Sequence, residues 1–314
     1  RFSCEVTTKC NISCDICTRP SLFKDGNLKV ADMERPLIER ILQEIKKFHQ
    51  FGKRVYFVPM GLGEPLLFKG LFELFKELKD ISKDISIILV TNGILLDESC
   101  IRQLILLEVD EVSVSLNTNN SEDYYKHMGA DMYNKICRNT ENLIKIRNES
   151  GKLLPCVFVQ YIDYKNNQDL YRANIVNWLK VMRYNDKCYI HPIVNQAGLF
   201  GGGNSFAASM RNFPCTQPIW RIAIKVNGDM YPCDSCLYSG SNTMDALYLG
   251  NIMTESPFDQ LNDRNNRRYK ILESMRKEDY SQILECKKCN TYKLGSNCFF
   301  RLPGPLRIKG YKWI

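Results

Sequence analysis

No stretch of this chain combines the length and apolarity of a membrane helix. Its apolar runs stay far below the roughly 18 residues that a bilayer span needs, and no signal-peptide pattern follows Arg1. Histidine is scarce: there are three in 314 residues, and none before His49. Charge is not gathered in blocks. The 43 Lys and Arg and 35 Asp and Glu are spread along the chain, for a net charge of +8. A diffuse excess of that kind weakly favours anionic partners, but it is a solvated basic surface and not a nucleic-acid footprint. No membrane and no nucleic-acid partner are therefore expected. The length suits one large domain plus a small one.

Cysteine is the residue in excess, with fourteen. A secreted disulfide framework belongs to small chains. Here the cysteines fall in CxxC-type groups within a long chain, which fits metal ligation in a reducing cytoplasm. Cys4, Cys100, Cys137, Cys156 and Cys188 are isolated in apolar patterns and read as packed thiols. The densest group is Cys10-Asn11-Ile12-Ser13-Cys14-Asp15-Ile16-Cys17, a CxxxCxxC run after a first strand at 2–7. Three thiolates on one loop suit three irons of a [4Fe–4S] cluster, whose fourth iron then stays open for a small molecule. The competing reading is a zinc knuckle, which needs a fourth Cys or His close by.

Hydrophobic patterning alternates strands and helices. Strands are expected at 54–60, 85–90, 111–116, 156–162 and 188–192. Helices are expected at 30–50, 67–78, 97–107 (capped by Asp97), 121–146 and 167–182. Six strand–helix units imply a parallel sheet with its chemistry at the carboxyl ends of the strands. Six units, not eight, suggest a partial barrel. Gly61-Leu62-Gly63-Glu64-Pro65 follows the second strand, Thr91-Asn92-Gly93 the third, and Ser113 to Asn117 the fourth. His191 ends the sixth strand, and the glycines at 201–203 mark a linker or substrate loop. Next, Cys215 precedes two short strands around Asn227-Gly228, read as a type I′ hairpin, which returns to Cys233 and Cys236. A helix at 262–276 leads to Cys286 and Cys289. These cysteines can surround a second metal centre, for which a Cys4 zinc ribbon is the competitor.

The CxxxCxxC run resembles the signature of the radical S-adenosylmethionine (SAM) superfamily, with Ile16 where the family often has an aromatic residue. That resemblance implies a SAM-binding [4Fe–4S] cluster on Cys10, Cys14 and Cys17, and an adenosyl radical that removes a hydrogen atom from substrate. Leu62 to Pro65 resembles the family's GGEP motif, with Leu62 for the first glycine. Gly61, Gly63, Glu64, Pro65, Asn92, Ser115 and Asn117 are thereby implied as SAM-binding residues. Gly63→Val is expected to block SAM binding while the clusters still assemble. Cys215-x12-Gly228-x4-Cys233 is similar to the opening of the SPASM domain. Too few cysteines follow for two auxiliary clusters, so the pattern resembles the shortened "twitch" form. That form implies one auxiliary [4Fe–4S] cluster on Cys215, Cys233, Cys286 and Cys289, with Cys298 as a possible replacement.

The expected architecture is thus an α/β fold: a partial (β/α)6 TIM-like barrel over 1–198, then a small cysteine-rich twitch/SPASM-like domain over 199–314, with 199–214 as linker or substrate loop. Cys236 is left over, either a hydrogen donor as in some twitch-type epimerases, a packed thiol, or a cluster ligand. The implied activity is a radical SAM oxidoreductase or isomerase acting on a peptide by oxidation, crosslinking or epimerisation. The alternatives are a dehydrogenase or epimerase of an aminoglycoside-type sugar and, in another class, a zinc-dependent structural or RNA-binding module. An external electron donor such as flavodoxin or ferredoxin is implied as partner, and the cytoplasm as location.

Overall fold

The computed structural model describes residues 1–165, 167–193, 199, 215–240 and 244–289. The expected glycine loop (apart from Leu199) and Cys298 lie outside them.

The sheet runs in the order β6-β5-β4-β3-β2-β1-β7-β8. Strands β1 (Phe2–Cys4), β2 (Tyr56–Pro59), β3 (Ser86–Thr91), β4 (Glu111–Asn117), β5 (Cys156–Asp163) and β6 (Lys187–Pro192) are parallel and follow chain order. Their apolar runs are buried throughout, as at Ile87, Leu89, Val112, Val114, Val157 and Val159. Such strands need cover on both faces, which crossover helices supply. Helices α1 (Arg19–Lys24), α2 (Arg35–Gln50), α3 (Leu71–Ile81) and α4 (Glu98–Leu106) lie between the early strands. Helix α2 turns Leu37, Ile38, Ile41, Ile45 and Phe48 inward. Asp97 caps α4 by accepting from the Cys100 N–H, as its sequence position implies.

Several boundaries differ from expectation, each for a local reason. Helix α2 starts at Arg35, not 30, because residues 31–33 return to β1's extension through a Thr7–Asp32 bridge. A 3₁₀ turn at Pro65–Leu67 delays α3 to Leu71. The single helix expected over 121–146 is two, α5 (Ser121–Met128) and α6 (Tyr133–Glu149). Gly129 divides them in a left-handed cap at φ +68°, and its N–H donates to the Tyr125 carbonyl. Helix α7 (Arg172–Val181) precedes β6.

Past the barrel, a short α8 (Gln217–Trp220) leads into β7 (Ile222–Ile224) and β8 (Met230–Tyr231). Their loop is not type I′. Gly228 N–H donates to the Lys225 carbonyl and Lys225 N–H to the Asp229 carbonyl, both at 2.9 Å. Of the central residues only Gly228 has positive φ, +90°. This is the three-residue loop whose last position is a glycine bulge. Strand β7 then pairs in parallel with β1, setting Phe2 opposite Ile222 and Cys4 opposite Ile224. The hairpin therefore continues the barrel's own sheet. The expected 262–276 helix is α9 (Pro257–Asn262) and α10 (Arg267–Arg276), the second capped by the Asn266 side chain. Helix α11 (Leu284–Lys288) carries Cys286.

Candidate active site and metal centre

The cysteine loop leaves the carboxyl end of β1 and docks on the break between α5 and α6. Asp15 N–H donates to the His127 carbonyl at 2.9 Å, and Ser13 N–H to the Met128 carbonyl. Helix α5 stops there because Gly129 does, so its last carbonyls are free to hold the loop. The Asp15 carboxylate meets His127 Nδ1 at 2.6 Å, and that imidazole stacks on Tyr164 at 3.9 Å. Arg19 holds the far side, its Nε donating to the Thr8 carbonyl and its backbone N–H to Cys17 Sγ.

Cys10, Cys14 and Cys17 line one cavity of about 230 Å³ together with Gly61, Gly63, Glu64, Pro65, Asn92, Ser115 and Asn117. All ten residues expected there are thus brought to one place. Burial raises all three thiols, Cys17 to about 11, and for Cys14 the neighbouring Cys17 and Cys10 add to the rise. Three sulfurs that repel one another's charge in a desolvated corner fit a multinuclear cationic centre.

The Gly-Glu turn forms the opposite wall. At Gly63 an added Cβ would lie 2.2 Å from the Thr7 carbonyl oxygen and 2.8 Å from that of Lys9. Glycine here is required by the approach of the β1 extension. Glu64 is buried, with its carboxylate accepting from Thr91 Oγ1 at 2.7 Å, Asn92 N–H at 2.8 Å and Leu66 N–H. Burial raises its pKa, against the pull of those three donors. Glu64 therefore clamps the ends of β2 and β3. Asn92 reaches back to the cysteine loop, its Nδ2 donating to Asn11 Oδ1 at 2.7 Å. Asn117 sits at φ +64° where the β4–β5 register slips, and such strain on a non-glycine residue collects at functional sites. Ser115 faces the cavity, while Ser113 is buried and accepts from Gln160 Nε2.

Gln160, His191 and Tyr238 also line the cavity. Burial lowers the His191 pKa, so the imidazole is neutral near pH 7. Gln160 and Tyr238 were not foreseen. Gln160 could have been, as the polar residue inside the apolar run from Cys156 to Ile162; Tyr238 carries no such signal.

The second constellation also assembles. Cys215, Cys233, Cys286 and Cys289 line a smaller cavity with Met275 and Tyr280. Cys236 lines it too, fully buried. Its thiol hydrogen-bonds to Cys233, which that bond lowers to about 6, while burial drives Cys236 itself well up. Among the described cysteines none is in a disulfide. Among the described residues no three Cys, His, Asp or Glu side chains converge as closely as one metal ion requires.

Residues 4–161 match the radical SAM superfamily, and residues 215–290 match an iron–sulfur cluster-binding domain, SPASM. The chain belongs to the radical SAM superfamily and carries a SPASM domain after its barrel. It is an enzyme whose cofactors are a [4Fe–4S] cluster, SAM and auxiliary iron–sulfur ligated by the SPASM domain, and the two thiol-lined cavities fit them. A purely structural zinc or RNA-binding module is set aside. The chain is 27% identical over 163 residues to a tungsten-containing aldehyde ferredoxin oxidoreductase cofactor-modifying protein of Pyrococcus furiosus, covering 52% of this chain and 43% of that protein. It is 34% identical over 147 residues to a probable GTP 3′,8-cyclase of Methanococcus maripaludis, covering 46% and 45%. It thus spans less than half the length of these curated relatives.

Among solved structures, BtrN in complex with AdoMet and 2-DOIA superposes with TM-score 0.59 at 16% identity, covering 92% of both chains. Streptococcus suis SuiB bound to precursor peptide SuiA gives 0.61 at 15%, covering 87% of this chain and 66% of that one. anSMEcpe with bound AdoMet gives 0.55 at 18%, covering 91% and 89%. These likenesses establish the fold, a TIM-like partial barrel with a C-terminal SPASM domain. No helix among the described residues is long and apolar enough to cross a membrane.

Proposed function

We propose that this chain is a peptide-modifying radical SAM oxidoreductase. Cys10, Cys14 and Cys17 hold the SAM-binding cluster, and Cys215, Cys233, Cys286 and Cys289 one auxiliary cluster. The six strand–helix units of the barrel comprise residues 1–198 and the auxiliary domain 199–314, whose hairpin extends the barrel's sheet. When bound, the clusters and SAM supply a radical that removes hydrogen from an unactivated carbon and a centre able to accept an electron. Around them, the Gly61–Pro65 turn gives close backbone approach, Asn92, Ser115 and Asn117 offer polar atoms to the nucleoside, and Ile12, Ile16, Met60 and Ile162 exclude water. An external flavodoxin or ferredoxin supplies electrons.

One observation carries the choice of substrate. Among the described residues lining the cavity, Glu64 alone is charged, and its carboxylate is spent on three internal donors. A nucleoside triphosphate calls for Lys or Arg at its phosphates, and a cationic aminoglycoside calls for free carboxylates. A neutral segment of peptide needs neither. Gln160 and Tyr238 suit its amides. In support, two of the similar structures, by their descriptions, hold peptides: SuiB with SuiA, and anSMEcpe with Cp18Cys.

The test is anaerobic reconstitution followed by dithionite-driven cleavage of SAM. About eight irons and eight sulfides per chain are expected. GTP should leave the rate of 5′-deoxyadenosine formation at its substrate-free value, whereas short peptides encoded beside this chain's gene should raise it. Stimulation by GTP alone would overturn the peptide reading.

Epimerisation would need a thiol hydrogen donor within the first cavity. Cys236 lines the second and not the first, which favours oxidation over epimerisation. We expect Cys236→Ala to retain all iron and SAM cleavage, and the wild-type product to take up no solvent deuterium. Deuterium in product, lost in that variant, would establish the epimerase instead; loss of iron would make Cys236 a ligand.

A further inference from the structure

The two cavities are joined by one short segment. The 3₁₀ turn Asp234–Tyr238 begins directly after Cys233. Ser235 and Cys236 line the second cavity, while Tyr238 lines the first beside Cys10, Cys14 and Cys17. A single turn of chain thus presents sulfur to one site and a phenol ring to the other.

That turn is fastened from several sides. Thr18, next to Cys17, donates its buried hydroxyl to the Tyr238 carbonyl at 2.5 Å. Lys225 Nζ donates to the Ser239 carbonyl at 2.9 Å, the Ser239 hydroxyl at 2.8 Å and the Gly240 carbonyl at 3.1 Å. The Ser239 hydroxyl in turn donates to the Cys236 carbonyl at 2.7 Å. Burying an ammonium is costly unless all its protons are used, and here all three go to this stretch. None of these bonds reaches a cysteine sulfur. The Thr18 bond fixes where the turn stands relative to the residue after Cys17; the others fasten the turn to its own hairpin. Burial keeps the Tyr238 phenol neutral, so it acts as wall and hydrogen-bonding group, not as an anion.

We propose that Tyr238 is a positioning residue shared by both centres: its ring is the wall of the SAM cavity on the auxiliary side, and the Thr18–Tyr238 hydrogen bond sets the separation of the two thiol sets. The proposal rests on the ligand assignments above. Rigid coupling of this kind suits a substrate that must meet a hydrogen-abstracting centre and an electron-accepting centre at once, because small displacements cost rate steeply.

The experiment uses the full chain, reconstituted anaerobically, with SAM as the probe. Iron is counted first. Wild-type protein well short of about eight irons overturns the ligand assignment itself; the coupling is judged at full iron content. Tyr238→Ala should weaken SAM binding about tenfold, and Tyr238→Phe, which keeps the ring, about twofold or less. Thr18→Val removes the hydroxyl at constant shape and should weaken SAM binding and alter the spin–spin interaction between the two reduced clusters. Thr18→Ser should restore both. In the Thr18→Val/Tyr238→Ala double variant the losses should not add, since one element carries both. Unchanged SAM affinity in Tyr238→Ala, additive losses, or a spin–spin signal indifferent to Thr18→Val would each overturn the proposal.

Discussion

Replacing Cys10, Cys14 and Cys17 together by alanine should lower reductive SAM cleavage by at least about 10³-fold while leaving roughly half of the iron in place. The loss is chemical. The loop is held largely by bonds that do not involve sulfur, with the Asp15 and Ser13 N–H groups donating to the end of α5 and Arg19 Nε to the Thr8 carbonyl, and these survive removal of the sulfurs. Thermal unfolding of the apoprotein should therefore shift by only a few degrees, as expected for about 1 kcal/mol. Iron analysis and quantified 5′-deoxyadenosine decide the outcome. Retained cleavage would dissociate the loop from the chemistry, and loss of all the iron would show that the two centres do not load independently.

Gly63→Val should have the second-largest effect, and a different one from that expected on sequence alone. The motif resemblance makes Gly63 a SAM residue whose replacement spares the clusters. The structure corrects this. The Cβ would overlap the Thr7 carbonyl at 2.2 Å and its carbon at 2.7 Å, and both belong to rigid backbone leading into the cysteine loop. Glu64 N–H donates to the Lys9 carbonyl at 2.7 Å, so the two strand ends cannot part without losing that bond. The variant should lose SAM binding and the iron of the first centre, keep about half of the total iron, and unfold more readily by roughly 3 kcal/mol or more. Iron content and calorimetric melting measure both arms. Full iron in a stable variant would show that the loops separate freely.

Much of the barrel was legible in the chain because its information is local. Runs such as Ser86–Thr91 and Cys156–Asp163 bury both faces and must be parallel strands between helices. Asp97 caps α4 through a bond three residues long. The CxxxCxxC spacing by itself brings three sulfurs to one loop, and the Gly-Leu-Gly-Glu-Pro turn falls at the correct strand end.

What the chain order concealed depends on contacts between distant segments. The break at Gly129 was hidden because helix-forming residues flank it; only docking of Ser13 and Asp15 on the freed carbonyls makes the break useful. Glu64 reads as a ligand, yet its partners Thr91 and Asn92 lie on the next strand and turn it inward. The hairpin reads as the start of a separate domain, yet β7 pairs with β1, more than two hundred residues earlier, and joins the barrel's sheet. That pairing is what carries Tyr238 to the cavity of Cys17. Residue types and short spacings determined which groups do the chemistry. Only the parallel pairing of β1 with β7, a hydrogen-bonded register with no local signal in the sequence, decided that the two thiol sets share one wall.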